Sequence, residues 1–350
     1  MDNFSWQDIL YMQRALQLAS LGAGYVRPNP MVGCVIVEND EIIGEGWHQE
    51  YGKPHAEVNA VNSVASHHRE RLRNATFYVT LEPCSHFGKT PPCTDLLLDI
   101  LPKRVVICQQ DPFPKVNGRG IALLRQAGIE VNVGLLHEAN EWLNRRFLTS
   151  VRKQRPYIVL KWAQTANGFF ARSDRQPFWI SDDYSRKIVH RWRTEEHAIM
   201  VGTQTALSDN PSLTVRHWKG QNPIRLLIDK QLKVPTEATI YDNTAPTICF
   251  NLLKDEKTGT TNFVKLPEEN FLVSVLEWLH QQKIQSVLVE GGAKLLISLI
   301  EMNLWDEARV IVAPHTLENG IPAPLLTKAT LLHQEPLLND HLLIYRNHNG

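Results

Sequence analysis

The sequence predicts an α/β protein of two domains, and three observations carry the prediction. Short β-branched runs alternate with helical patterns along the chain. Its 350 residues exceed one ordinary core, at roughly 100–200 residues per domain. A basic, proline-containing stretch, "LTSVRKQRPYIVLK" (Leu148 to Lys161), leads from a helical tail into a new strand. The first domain is expected over residues 1–147 and the second over residues 153–350.

Ser5, with Asp8 three residues on, is expected to cap a helix over Trp6 to Leu21 that buries much of Ile9, Leu10, Ala15, Leu16 and Leu18. "MVGCVIV" (Met31 to Val37), the turn residues Asn39-Asp40 and "EIIGEGWH" (Glu41 to His48) read as a hairpin. "ATFYVTL", "KRVVIC" and "IEVNVG" read as three further strands, separated by helices after His55, after Cys93 and from Ile121 to Ala127. Helices between buried strands imply some parallel pairing. In the second half, "PYIVLKWA", "HAIMVG", "IRLLID", "TICF", "SVLVEGG" and "EARVIVAP" read as strands, with helices near Tyr184 to Arg193 and Phe271 to Gln282. No internal repeat relates the halves, and residues 326–350 are too weakly patterned to assign.

Lys plus Arg number 37, as do Asp plus Glu, so no net positive field is available for nucleic acid or an anionic membrane surface. Small-molecule partners are expected instead. The start of the chain has no basic segment followed by an apolar core, and no stretch reaches the roughly 18 apolar residues of a spanning helix. The expectation is a soluble, cytoplasmic protein. Five cysteines are too few and too scattered for a disulfide scaffold, and a reducing compartment leaves thiolates free for metal. Cys34, Cys108 and Cys249 lie inside expected strands and read as small core residues.

Cys84 and Cys93 are different, because they bracket a polar loop in "TLEPCSHFGKTPPC" downstream of "KPHAEVNA". A zinc ion that activates water takes three N or S ligands and keeps one position open, and His55, Cys84 and Cys93 supply that set. His55 is placed at a helix start and Cys84 just after a strand, where unpaired N–H groups favour a thiolate. Glu57, two residues after His55, is placed to take a proton from water and hand it to a leaving amine. A His-x-Glu followed by Pro-Cys and a second Cys is the zinc-deaminase arrangement. Eight residues separate the cysteines where polynucleotide and free-nucleoside deaminases typically have two, and the extra loop carries His86, Lys89 and Thr90, groups suited to a phosphate. The alternatives are ordinary buried thiols, or a closed structural zinc site with His86 as fourth ligand.

The second half has no G-x-G-x-x-G, so a Rossmann fold is not indicated. "VLVEGGAKLL" offers a strand ending at Glu290, then Gly291 and Gly292 before a helix whose first N–H groups can hold a phosphate. "VGTQTALSDNPSLTVR" brings hydroxyl residues, Asp209 and Arg216 into close order, which suits a polyol phosphate. The bland alternatives are a plain turn at the glycines and solvated surface charge for Arg193 and Arg216.

"RPNPMVGCVIV", "GEGWHQEYGKPHAE", "VTLEPCSHFGKTPPC" and "QDPFPKVNGRG", in that order, resemble the N-terminal domain of the bifunctional riboflavin-biosynthesis deaminase/reductases, and "VEGG" with the stretch from Val201 to Arg216 resembles their reductase domain. The resemblance covers nearly the whole chain, less densely after residue 320. It implies a cytidine-deaminase-like αβα layer followed by a dihydrofolate-reductase-like α/β domain. The first would deaminate diaminohydroxyphosphoribosylaminopyrimidine and the second would reduce the ribosyl group of the product to ribityl with NADPH. By matching positions, His55, Cys84 and Cys93 would hold Zn2+, Glu57 would shuttle protons, and Asn29, His48, His86 and Lys89 would line the deaminase pocket. Asn29 has its own physical sense there, since an amide pairs with a pyrimidine edge as donor and acceptor.

In the reductase, Trp179, Thr205, Asp209 and the turn Gly291, Gly292, Ala293 and Lys294 would bind NADPH, with Arg193, Leu213, Arg216 and Glu290 facing the substrate. Self-association through the reductase domain is also implied. Two departures stand out: the family's Ser-Leu-Asp-Gly stretch reads "TANG" here (Thr165 to Gly168), and Pro177 replaces a serine two residues before Trp179. Two other readings stay open: a nucleoside or tRNA deaminase with an unrelated second domain, and an active deaminase with a non-catalytic nucleotide-binding or oligomerisation module.

Overall fold

The computed structural model describes residues 4–174 and 179–348. It divides into two compact units between Gln154 and Arg155. The first runs α1 (Trp6–Ser20), β1 (Gly33–Glu38), β2 (Glu41–Trp47), α2 (Ala56–Ser63), β3 (Thr76–Val79), α3 (Cys93–Ile100), β4 (Arg104–Ile107), α4 (Arg119–Gln126), β5 (Glu130–Val133), α5 (His137–Leu143) and α6 (Arg145–Lys153). Helix α6 occupies the stretch that the sequence reading left between domains. Its sheet has the order β2-β1-β3-β4-β5, antiparallel across β2, β1 and β3 and parallel from β3 to β5.

Strand alternation builds two cores from one sheet. Cys34, Ile36, Phe77 and Val79 point to the face covered by α2, α3 and α4, while Val35, Val37, Tyr78 and Val106 point to that covered by α1. Ser5 caps α1 as its pattern predicts: Asp8 N–H donates to Ser5 Oγ (3.1 Å) and Ser5 N–H to Asp8 Oδ2 (2.8 Å). The buried stripe is Asp8, Met12, Ala15 and Ala19 with Leu18, however, and Leu10 faces out. Buried Asp8 is tolerated because Tyr78 and Arg104 bind its carboxylate. Asn39 and Asp40 both take positive φ (50° and 59°), which matches the right-handed strand twist in the hairpin.

The second unit runs β6 (Tyr157–Thr165), β7 (Phe169–Ala171), α7 (Asp183–Glu195), β8 (Ala198–Gly202), α8 (Thr203–Asp209), β9 (Ile224–Ile228), β10 (Thr247–Asn251), β11 (Glu256–Thr258), β12 (Thr261–Lys265), α9 (Phe271–Gln281), β13 (Ser286–Val289), α10 (Ala293–Glu301), β14 (Glu307–Ala313), β15 (Ile321–Pro322), β16 (Ala329–Leu337) and β17 (Asp340–Asn347). Its large sheet has the order β11-β12-β10-β9-β8-β13-β6-β14-β17-β16. Strands β12 to β14 in that order are parallel, with antiparallel strands at both edges. The hairpin β16–β17 lies in the segment whose pattern was too weak to assign. Leu295, Leu296 and Leu299 of α10 pack with α9 on Ile158, Leu160, Val287 and Val289, while Val189 and Trp192 of α7 cover Tyr157, Val159 and Leu288 on the other face. Among the described residues no helix is long and apolar enough to cross a membrane.

Candidate active sites

In the first unit, α2 begins at Ala56 with His55 as its N-cap residue, and α3 begins at Cys93. Gly46 lets α2 lie against β2, since a Cβ there would meet Ala60 N at 2.2 Å. This close approach brings His55 to the turn that follows β3. His55 Nδ1 lies 3.4 Å from Cys84 Sγ and 3.3 Å from Cys93 Sγ, and the three ligand atoms lie within 4.8 Å of one another. A tetrahedral zinc, bonded at about 2.3 Å to sulfur and about 2.0 Å to nitrogen, separates neighbouring S and N atoms by about 3.5 Å, so the donor set fits. Cys93 N–H donates to Cys84 Sγ (3.3 Å). The Cys93 thiol and His55 hold Cys84 toward thiolate, while the same contact and burial hold Cys93 up. His86 is not part of this cluster.

Glu57 is buried in the first turn of α2. Burial, then the nearby Cys84 sulfur, push its carboxyl above the ordinary glutamate range. The nearby His55 and Cys93 oppose that shift. His48, 2 % exposed, lies edge-on to His55 at 5.2 Å. Burial lowers the His48 pKa, against the opposing hydrogen bond to Pro54. Its Nδ1 donates to the Pro54 carbonyl (3.1 Å), so Nε2 is the acceptor for Asn29 Nδ2 (3.1 Å). Asn29 Oδ1 is thereby oriented as an acceptor. His86 Nδ1 and Ser85 Oγ are buried with no partner among the described residues, which fits groups that bind a ligand. Lys89 is exposed, with its ammonium 4.1 Å over the Tyr51 ring.

Sequence reasoning passed over Glu82, two residues before Cys84. Its buried carboxylate accepts from the N–H groups of Asp111 (3.2 Å), Gly118 (2.9 Å), Gly120 (2.9 Å) and Ile121 (3.3 Å). It thus ties the Cys84 turn to the loop before α4 and to the start of α4.

In the second unit two strand-to-helix turns lie side by side, after the parallel neighbours β8 and β13, and Gly202 N–H donates to Gly291 O (3.0 Å). The carboxyl ends of parallel strands are where open α/β sheets take ligands. Gly291 has φ +123°, and a Cβ on Gly292 would meet Thr205 Oγ1 at 2.9 Å, so the glycine keeps open a space beside that hydroxyl and the first N–H groups of α10. Thr205, Gly291, Gly292 and Ala293 are therefore brought together, with Lys294 exposed at the helix start. Asp209 lies at the exposed end of α8, and burial raises its carboxyl pKa. Trp179 is 71 % exposed, its ring 4.7 Å from the Arg186 guanidinium. Pro177 lies outside the described residues.

Arg193 and Glu290 form a bidentate pair (Nε to Oε1 2.8 Å, Nη2 to Oε2 2.9 Å), and Arg193 Nη1 also donates to Thr214 O (3.0 Å). Burial raises the Glu290 carboxyl, but Arg193, with help from Lys161 and His190, wins and holds it down to about 2. Leu213 is buried at φ +55°, and Arg216 is exposed with no side-chain partner among the described residues. The bland reading, solvated charge, thus fails for Arg193. Lys161 on β6 was not singled out because a lysine inside a strand pattern reads as an edge or surface residue. Its alternation with Tyr157 and Val159 turns it toward the face of α7, and burial lowers its pKa while Glu290 opposes the shift. Asn167 uses both ends of its amide: Oδ1 accepts from Thr165 Oγ1 and Leu317 N–H, and Nδ2 donates to Leu317 O (2.7 Å), a bond an aspartate could not make.

Residues 5–109 match the family model "cytidine and deoxycytidylate deaminase zinc-binding region", and residues 156–333 match the "RibD C-terminal domain". The riboflavin biosynthesis protein RibD of Aquifex aeolicus is 40% identical over 322 residues, covering 89% of this chain and 88% of that protein. RibD of Escherichia coli is 40% identical over 329 residues, covering 89% of each. A solved structure from Thermotoga maritima, a diaminohydroxyphosphoribosylaminopyrimidine deaminase/5-amino-6-(5-phosphoribosylamino)uracil reductase, is similar with TM-score 0.89 and 36% identity, covering 97% of this chain and 99% of that one. The chain belongs to the RibD family of riboflavin biosynthesis, bifunctional enzymes that join a zinc-dependent deaminase to an NADPH-dependent reductase.

Proposed function

We propose that His55, Cys84 and Cys93 hold the zinc, that Glu57 carries the proton traffic, and that the substrate is a phosphorylated diaminopyrimidine. The observation that carries this reading is the 3.3 to 3.4 Å spacing of one imidazole nitrogen from two sulfurs, with a buried carboxyl beside them. When bound, zinc supplies a Lewis acid that makes water a nucleophile near neutral pH. Glu57 takes the proton that water gives up as the new C–O bond forms, and delivers it to the amine as the C–N bond breaks, so that ammonia leaves. Asn29, oriented by neutral His48, accepts from the pyrimidine edge through Oδ1. His86 donates or accepts at Nδ1, and Lys89 meets the phosphate.

For the reductase, Gly291, Gly292, Ala293 and Thr205 hold NADPH at the paired turns, with Trp179, Asp209 and Lys294 around it. When bound, NADPH supplies the hydride. Arg193 and Glu290 wall the substrate side, Arg216 offers an unpaired cation to the phosphate, and Leu213 packs beside it. Lys161 Nζ, with its depressed pKa, gives a proton to the ring oxygen as the ribosyl C–O bond breaks, which leaves a carbon–nitrogen double bond whose carbon accepts the hydride, so that the C–N bond is kept and the open chain is ribityl. Incubation with the phosphorylated diaminopyrimidine tests the order of the two steps. Ammonia is expected without NADPH, and NADPH consumption only after ammonia appears. Ammonia with no NADPH loss would leave the second unit a non-catalytic module.

A further inference from the structure

Helix α7 grips the loop that follows α8 at two points one helical turn apart. Arg193 Nη1 donates to Thr214 O at 3.0 Å, and His190, three residues earlier, accepts at Nδ1 from Arg216 N–H at 3.1 Å. We propose that His190 is a positioning residue of the reductase, fixing the Arg216 backbone so that its guanidinium is presented to the anionic group of the substrate. The inference rests on the reading of Arg216 as substrate-facing and names the group that makes it so.

The grip is built rather than incidental. His190 is 5 % exposed, while Arg216 is exposed and has no side-chain partner among the described residues. Arg193 is already engaged with Glu290 and Thr214, so Arg216 is the cation of the pair left for an external anion. Acceptance at Nδ1 requires the neutral ring with its proton on Nε2, because an imidazolium carries donors at both nitrogens. The surroundings enforce that form: burial first, then Arg193 and the His217 ring at 4.8 Å, with Arg216 also contributing and Glu290 opposing, bring His190 to about 4. Leu213, buried at φ +55°, turns the chain so that residues 214 and 216 both reach α7.

Two substitutions of His190 separate this role from a structural one. Asn places its carbonyl oxygen near the site of Nδ1, whereas Gln carries its carbonyl near the site of Nε2. Steady-state reduction of the deaminated substrate is measured for His190→Asn, His190→Gln, Arg216→Ala and the double variant His190→Gln/Arg216→Ala, with NADPH binding read by fluorescence. His190→Gln is expected to raise KM for the substrate by about tenfold, the scale of one lost hydrogen bond, while His190→Asn stays within about threefold. NADPH affinity is expected to hold within about twofold in both, and the double variant to be no worse than Arg216→Ala. The inference is overturned if Asn and Gln fall alike, if the two effects multiply, or if NADPH binding is lost, which would assign His190 to the fold alone. An unchanged KM in Arg216→Ala would remove the reading of Arg216 and the inference with it. A raised KM there with His190→Gln silent would remove only the inference.

Discussion

Glu57 shows how one residue can be both costly to bury and useful for that reason. A carboxylate out of water favours its protonated form, and the Cys84 sulfur adds to the effect, so the group exchanges protons at a pH above an ordinary glutamate. The sign follows: as pH falls, Glu57 gains a proton and can no longer accept one from water. The acid limb of ammonia release is therefore expected above the ordinary value of 4.5. Glu57→Gln is expected to keep its zinc by metal analysis and lose ammonia release by about 10²–10⁴-fold, the usual worth of general acid–base catalysis. A metal-free Glu57→Gln would contradict the role. The cluster of His55, Cys84 and Cys93 was legible in the sequence because metal ligands have few possible residue types and here fall at helix and strand ends, and Glu57 because it follows His55 by two residues. Lys161 was not, because its meaning depends on Glu290 and Arg193, which arrive from elements about 130 and 30 residues away.

Among the elements, the shortest connections do most to shape the deaminase. Glu82 gives its carboxylate to four backbone N–H groups, two of them at the start of α4, where the helix dipole favours negative charge. Gly120 admits the approach, because a Cβ there would meet Pro83 O at 2.3 Å. Glu82→Gln removes the charge from this hub, and a loss of about 2 kcal/mol of stability is expected in denaturant melts of the full chain. A change below about 0.5 kcal/mol would show that the four bonds are not what holds the loop.

Elements buried on both faces, such as β1, β4 and β13, were readable as continuous apolar runs. The hairpin β16–β17 was not, because β16 is exposed along nearly its whole length and shows no alternation. Helix α8 was hidden for another reason: its seven residues carry Thr203, Thr205 and Ser208, which read as loop chemistry.

At the scale of the molecule, two units with separate cores each carry a set of polar residues that their own packing does not need. The first gathers an imidazole, two sulfurs and a carboxyl at the ends of α2, β3 and α3; the second gathers a glycine turn, a hydroxyl and an arginine–glutamate pair at the ends of β8 and β13. The balanced charge of 37 basic and 37 acidic residues fits small anionic substrates met by local cations. Because each chemistry rests within one unit, damage to the sulfur cluster should leave reduction intact. The most direct test is Cys84→Ser, assayed for zinc content, for ammonia release, and for NADPH oxidation on already deaminated substrate. Zinc near zero, ammonia release lower by at least about 100-fold and reduction within about twofold of the parent are expected. Full zinc and full ammonia release in that variant would contradict the account.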